Sequence, residues 1–200
     1  MKIILVGATG TIGTAVREAL ADRHEIVPVS RNEAAHTVNL SEPDQIEALF
    51  ESQQPFDAVV CAAGEAVFSP LDELTDEDFD LSIRSKMMGQ INLVRRGVEY
   101  VGEEGSFTLT SGILSQQPAP GSGAISPVNA AVEGFVRAAA LELPDGIRVN
   151  VVSPPWVSET LEQLGRDPSD GLPAATVAEA YVDAVEGNAD GAVIAAQDYA

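Results

Sequence analysis

The chain has 200 residues, 45% of them hydrophobic, and its 31 acidic against 11 basic residues give a net charge of −20. The length suits one domain with a sizeable core, and the charge excludes nucleic acid and anionic membranes as partners, because both require a cationic footprint. No apolar run reaches the ~18 residues that a membrane span needs. With Cys61 as the only cysteine and no leader before the apolar run at Lys2, we expect a cytoplasmic protein.

The first strand, turn and helix form the pattern on which the later predictions depend. Residues 3–6 are a continuous apolar run, typical of a strand buried on both faces, and Gly7, Gly10 and Gly13 follow at a spacing of three. A helical pattern over 15–20 comes next. Gly7 permits a tight turn, Gly10 lets the backbone approach a pyrophosphate, and Gly13 lets helix pack on strand. Because the helix N-terminus attracts phosphate, the pattern predicts a dinucleotide-binding unit, the alternative being a turn without a ligand.

Strand and helix patterns alternate along the rest of the chain. Further strands are predicted over residues 25–30, 37–40, 57–61, 105–110, 147–152 and 192–195. Helices are predicted after Ser41 as N-cap, over Thr75–Tyr100 with Thr75 as N-cap, from Ser126 as N-cap to about Leu143, and over 176–185. The alternation predicts one α/β domain over 1–200, a doubly wound parallel sheet (Rossmann fold) of about seven strands. The irregular stretch within 155–175 is predicted to be a mobile substrate lid.

Five stretches together resemble the short-chain dehydrogenase/reductase family over nearly the whole chain. They are the glycine turn, Cys61–Gly64, Leu109–Ser111, Ala130–Phe135 and Arg148–Pro154. The resemblance implies a nicotinamide dinucleotide, a small-molecule substrate, and a homodimer or homotetramer built on the two long helices. The cofactor contacts that it implies are Gly7, Thr9, Gly10, Thr11, Ile12, Gly13, Asn39, Leu40, Ala62, Ala63, Gly64, Pro154 and Val157.

The end of the second strand bears on which dinucleotide is bound. A carboxylate there would hydrogen-bond the ribose 2′-hydroxyl and favour NAD, but the chain reads Ser30-Arg31-Asn32. Ser30 can donate to a 2′-phosphate, and Arg31 can pair with it and stack on adenine. The stretch therefore favours NADP over NAD, although Arg31 also fits an ordinary solvated charge.

The family's catalytic pattern is broken in this sequence. The family uses a serine, a tyrosine and a lysine four residues after it; Ser111 matches the serine, but the alignment places Ile125 at the tyrosine and Asn129 at the lysine. Isoleucine has no proton to transfer and asparagine carries no charge. The same resemblance places Lys86 at the family's helix asparagine. We hypothesise that Lys86 supplies the missing charge and donates the proton, the alternative being a surface or structural lysine.

Two functions remain open. The first is an NADP-dependent oxidoreductase acting on a small carbonyl or alcohol at an atypical site, with Ser111 and Lys86 as catalytic residues. The second is a non-catalytic NAD(P)-binding sensor or regulatory protein, which the loss of tyrosine and lysine favours. A purely structural dimer would leave the glycine turn unexplained. No histidine, cysteine or carboxylate cluster predicts a metal site, and the acidity fits either a salt-adapted host or simple solubility.

Overall fold

A computed structural model describes all 200 residues and shows seven parallel strands in the order β3-β2-β1-β4-β5-β6-β7. This confirms the predicted doubly wound parallel sheet. The strand order reverses between β1 and β4, so a crevice opens at the carboxyl ends of these strands. The strands are β1 Lys2–Val6, β2 Glu25–Ser30, β3 His36–Thr37, β4 Phe56–Cys61, β5 Val101–Thr110, β6 Arg148–Ser153 and β7 Val193–Ala195.

Helices cover both faces of the sheet and explain the apolar run of β1. Ile3 and Leu5 belong to the core on one face, whereas Ile4 and Val6 belong to the core on the other. The helices are α1 Thr11–Leu20, α2 Pro43–Gln53, α3 Asp76–Ser82, a π-helix Ile83–Met88, α4 Gly89–Gly97, α5 Ile125–Ala139, α6 Ser158–Gln163 and α7 Ala174–Glu186. None of these helices has the length and hydropathy to cross a bilayer.

Two of the predicted helix caps are wrong. The second helix begins at Pro43 with Glu42 in the cap position, because Ser41 is held in a turn in which its N–H donates to the Asn39 side chain. The helix predicted to begin after Ser126 already includes it, and the Ser126 hydroxyl donates back to Ser122. The cap at Thr75 is confirmed, since Thr75 and Asp78 exchange hydrogen bonds as a capping box.

The long helix predicted over Thr75–Tyr100 is interrupted by the π-helix. Ser85 and Lys86 lie inside the protein on the same face as Gln90, whereas Ile83 and Arg84 are exposed. Gln90 ties this turn to the sheet, because its side chain pairs with the Thr110 backbone and donates to the Lys86 carbonyl at 3.0 Å. Such π-turns are frequent at functional sites.

The segment 155–175 is more ordered than its sequence indicates, since it contains α6 and a 3₁₀ turn over Pro168–Asp170. Its ends are joined: the Leu172 N–H donates to the Trp156 carbonyl at 2.8 Å, and the Ser158 N–H donates back to Leu172 at 3.0 Å. The irregular structure predicted for this stretch is therefore wrong. Its role as a substrate lid stays a prediction.

Candidate active site

The glycine turn is shaped by close backbone contacts. Gly7 has φ +88°, a left-handed conformation that favours glycine. A Cβ on Gly13 would lie 1.9 Å from the Gly7 carbonyl oxygen, so α1 packs directly on the turn. At Gly10 the nearest atom to an added Cβ is 3.5 Å away. The backbone at Gly10 is thus open to a ligand, at the N-terminus of α1.

A cavity of about 180 Å³, here called the turn cavity, lies beside these glycines. It contains nine of the predicted cofactor contacts, namely Gly7, Thr9, Gly10, Ser30, Arg31, Leu40, Ala62, Ala63 and Gly64. Val38 and Ser85 also line it and were not predicted. Asn32 and Asn39 do not line it, and Gly13 lies beneath the turn, where it allows the packing of α1. Thr11 lines a separate surface hollow on α1.

The end of β2 presents one cation to the turn cavity. Arg31 is about half exposed and pairs with Glu65 at 2.6 Å. Ser30 is buried, and its hydroxyl accepts a hydrogen bond from the Glu33 N–H at 2.7 Å, which leaves its own proton free to donate.

A second cavity of about 220 Å³, here called the inner cavity, lies deeper along the carboxyl ends of the strands. Both catalytic candidates, Ser111 and Lys86, line it, together with the predicted contacts Ile12, Pro154 and Val157. Ile125 and Asn129 also line it. The residues predicted at the family's tyrosine and lysine positions therefore line the same cavity as the catalytic candidates. Ala62, Ala63 and Gly64 line both cavities and form their common wall.

Lys86 is buried at the inner cavity without a countercharge. Its exposed fraction is 8%, and it takes part in none of the ion pairs of the structure. Burial lowers the pKa of the Lys86 ammonium from 10.5 to about 8. The nearby Cys61 thiol is neutral at this pH, because burial raises its pKa to about 11. An inward lysine of this kind can supply charge or a proton near neutral pH.

Ser111 also lines the inner cavity and is held in place by the buried carboxylate of Glu133. Its N–H donates to the Val152 carbonyl at 2.9 Å, which fixes the residue at the end of β5. Its hydroxyl donates to Glu133 Oε1 at 3.0 Å, and the Ser115 hydroxyl donates to the same oxygen at 2.6 Å. Glu133 was not predicted as a site residue. The helical spacing contained the signal, since Ile125, Asn129 and Glu133 follow each other at four-residue intervals on one face of α5.

Asn129 leaves one polar atom unsatisfied. The residue is 1% exposed, and its Oδ1 is buried without a hydrogen-bond partner. Its amide nitrogen lies against Gly112, where an added Cβ would be 3.0 Å away. A buried acceptor without a partner costs free energy, so Asn129 is a polar group whose place in the apolar interior its own contacts do not offset.

These features fit a nicotinamide dinucleotide. The open backbone at Gly10 suits its diphosphate, the turn cavity suits its adenosine half, and the inner cavity beyond the common wall suits its nicotinamide half. No three histidine, cysteine or carboxylate side chains are grouped to hold a metal ion.

Comparisons with known proteins agree with this geometry. The family model described as enoyl-(acyl carrier protein) reductase matches residues 7–190. L-2,3-butanediol dehydrogenase of Corynebacterium glutamicum is 31% identical over 184 residues, which cover 76% of this chain and 70% of that protein. The solved structure of the protein lin1944 from Listeria innocua is 40% identical, with a TM-score of 0.93 and 98% of both chains covered.

A solved small-chain dehydrogenase in complex with NADPH shares the fold, with 23% identity, a TM-score of 0.85, and coverage of 98% of this chain and 95% of that one. The curated relatives are named as dehydrogenases and reductases, which supports an NAD(P)-dependent oxidoreductase that acts on CH–OH donors. Fold, glycine turn and family match all agree, and the chain belongs to the short-chain dehydrogenase/reductase family.

Proposed function

We propose that the protein is an NADP-dependent oxidoreductase that acts on a small carbonyl or alcohol substrate at an atypical active site. The observation that carries this proposal is the inner cavity, where Lys86 and Ser111 meet beyond the glycine turn. When bound, a nicotinamide dinucleotide supplies or accepts the hydride.

The preference for NADP rests on the end of β2. Arg31 lines the turn cavity, and Ser30 has a free hydroxyl proton. Both can bind a 2′-phosphate, whereas no carboxylate at this position accepts the 2′-hydroxyl of NAD. Asn32, Asn39 and Thr11 are proposed as peripheral contacts only. The NADPH in the related small-chain dehydrogenase agrees with this preference.

Lys86 and Ser111 are proposed to act on the substrate oxygen from two sides of the inner cavity. Ser111 hydrogen-bonds that oxygen and orients it. The Lys86 ammonium stabilises the negative charge that develops there during carbonyl reduction, an interaction strengthened by the burial of Lys86. Below its pKa of about 8, Lys86 also holds a proton that it can give directly or through a water molecule.

The proposal is tested by incubating the protein with NADPH and a panel of small carbonyl compounds while the absorbance of NADPH is followed. We expect tight binding of NADPH, with turnover that is slow or confined to activated carbonyls, because no tyrosine lines the inner cavity. Binding of NADPH without turnover of any substrate would instead support a non-catalytic sensor, which Ile125 and Asn129 favour. Tighter binding of NADH than of NADPH would contradict the preference for NADP.

Three further proposals concern the whole protein in solution. A homodimer or homotetramer built on the two long helices would appear as a multiple of 20.9 kDa in light scattering. Segment 155–175 is proposed as a substrate lid because Trp156 and Val157 line the inner cavity.

Salt adaptation, suggested by the net charge of −20, would appear as a melting temperature that rises between low and molar salt, since salt screens the self-repulsion.

A further inference from the structure

Three hydrogen-bonded side chains lead from the inner cavity toward the surface. Ser111 lines the cavity, Glu133 lies behind it and is 4% exposed, and Ser115 lies beyond Glu133 and is half-buried. The Ser111 hydroxyl is 3.0 Å from Glu133 Oε1, and the Ser115 hydroxyl is 2.6 Å from the same atom. A continuous path of oxygen atoms therefore connects the site of chemistry with the protein surface.

The hydrogen atoms along this path can be assigned by counting. A serine hydroxyl has one proton, and both serines direct theirs at Glu133 Oε1, which accepts both hydrogen bonds. Ser111 consequently turns its lone pairs to the inner cavity. In this state it accepts a hydrogen bond, so the group that faces it must be a donor such as an alcohol hydroxyl.

The carboxylate of Glu133 lies in apolar surroundings without a countercharge. Glu133 forms none of the ion pairs of the structure, and its neighbours along α5, Val132 and Val136, are buried in the apolar core. A buried carboxylate without a cation costs free energy even when it is hydrogen-bonded. Only the hydroxyls of Ser111 and Ser115 offset that cost here.

We propose that Ser111, Glu133 and Ser115 form a proton relay that does the work of the family's tyrosine, since no tyrosine lines the inner cavity. Glu133 is a positioning residue that acts through Ser111, and Lys86 then stabilises charge on the substrate oxygen while the relay carries the proton. The inference rests on the proposed oxidoreductase function.

The protons and electrons that the relay and the dinucleotide exchange are balanced in both directions of the reaction. During oxidation, the alcohol O–H proton moves to Ser111 Oγ while the Ser111 proton moves to Glu133 Oε1. The carbinol C–H bond breaks, and its electron pair and hydrogen leave to the oxidised nicotinamide dinucleotide. The carboxylate becomes a carboxylic acid, whose proton leaves through Ser115 to water. During reduction, a proton from water enters through Ser115 to Glu133 Oε1, Glu133 passes it to Ser111 Oγ as the Ser111 proton moves to the carbonyl oxygen, and the carbonyl carbon accepts a hydride from the reduced nicotinamide dinucleotide.

The test compares Glu133→Gln with Glu133→Asp, using the exposed Glu142→Gln as a matched control. Glutamine keeps the shape and a hydrogen bond but cannot exchange the proton. We expect kcat to fall about 100-fold or more, the usual contribution of an acid–base group, with the affinity for NADPH within about twofold of the original. Glu133→Asp should restore part of kcat, and the solvent isotope effect on kcat should fall toward one in Glu133→Gln.

A second measurement does not depend on turnover. Protein labelled with carbon-13 at the glutamate carboxyl groups is compared by NMR with and without Ser111→Ala, and the Glu133 signal is assigned by its loss in Glu133→Gln. We expect Ser111→Ala to shift this signal. An unshifted signal, or an active enzyme whose kcat is unchanged in Glu133→Gln, would overturn the relay alone. An original chain that turns over no substrate would overturn the proposed function and reduce the relay to a buried hydrogen-bond network.

Discussion

The turn cavity and the inner cavity offer a ligand different kinds of atoms. At the glycine turn the contacts come from backbone, and their shape depends on residues that lack a side chain, such as Gly10 and Gly13. The inner cavity instead presents the buried side chains of Lys86, Ser111 and Asn129. Backbone contacts survive most substitutions, whereas side-chain chemistry can be exchanged residue by residue. The comparison explains how a family's cofactor end can persist while its catalytic residues are replaced.

The substitution Gly13→Ala should have the largest effect on stability and cofactor binding, because it disturbs the close backbone packing of the glycine turn. The added Cβ would lie 1.9 Å from the Gly7 carbonyl oxygen, and backbone cannot move aside as a flexible side chain can. We expect a loss of about 3 kcal/mol in the free energy of unfolding, together with loss of NADPH binding, measured by urea denaturation and by calorimetry. Gly134→Ala is the matched control: nothing lies within 4 Å of its added Cβ, and we expect a gain of roughly 0.5–1 kcal/mol. Equal behaviour of the two variants would contradict the close-packed turn.

The substitution Lys86→Met, in the inner cavity, should lower turnover and at the same time raise the free energy of unfolding. Turnover should fall about 100-fold, because the charge beside the substrate oxygen is lost. The free energy of unfolding should instead rise by about 2 to 3 kcal/mol, since the native pKa of about 8 against 10.5 shows that burial disfavours the charged form. Kinetics and urea denaturation measure both effects. Arg84→Met, at an exposed position of the same π-helix, should change neither quantity. A destabilised Lys86→Met with unchanged turnover would show that the lysine is structural.

The same lysine predicts a dependence on pH. Carbonyl reduction should slow as the pH rises through about 8, because Lys86 loses its charge. Between pH 8 and 10.5 the unfolded chain holds a proton that the native state lacks, so unfolding takes up a proton and stability should rise with pH across this window. Denaturation midpoints and initial rates measured from pH 7 to 10 check both trends. Lys86→Met should abolish them, and trends that persist in this variant would assign the titration to another group.

The substitution Arg31→Ala should have the smallest of these effects, because Arg31 is half exposed. We expect the affinity for NADPH to fall about tenfold and that for NADH to change little, since only the 2′-phosphate loses a partner. Glu65→Gln should strengthen NADPH binding by a few-fold, because Glu65 competes for the same guanidinium at 2.6 Å. Calorimetric titrations with both dinucleotides measure the difference. Equal losses for NADPH and NADH would show that Arg31 contacts the part common to both.

The sequence was informative where one short stretch determines the structure. The apolar run of β1 and the glycines after it predict a buried strand and a close turn, and both are present. The caps at Ser41 and Ser126 were wrong because capping depends on backbone angles and on competing partners, here Asn39 and Ser122. Serine identity alone does not report those partners.

The catalytic end was harder to predict because its contacts join distant parts of the chain. Ser111 and Glu133 are separated by 22 positions, and Gln90 joins the π-helix to Thr110 across 20 positions. Family resemblance left open whether Lys86 points inward or lies at the surface, and the π-helix that contains it has no clear signature in the sequence. Side-chain chemistry at this end therefore required the three-dimensional arrangement.

The wall of Ala62, Ala63 and Gly64 belongs to both cavities. A molecule bound in one cavity therefore changes the surface that the other cavity presents. A dinucleotide stretched along this partition would complete the floor on which a substrate rests. We therefore expect the dinucleotide to bind before the substrate and the smaller product to leave before the dinucleotide. A single inhibitor that extends along this wall would contact both the turn cavity and the inner cavity and would gain affinity from each.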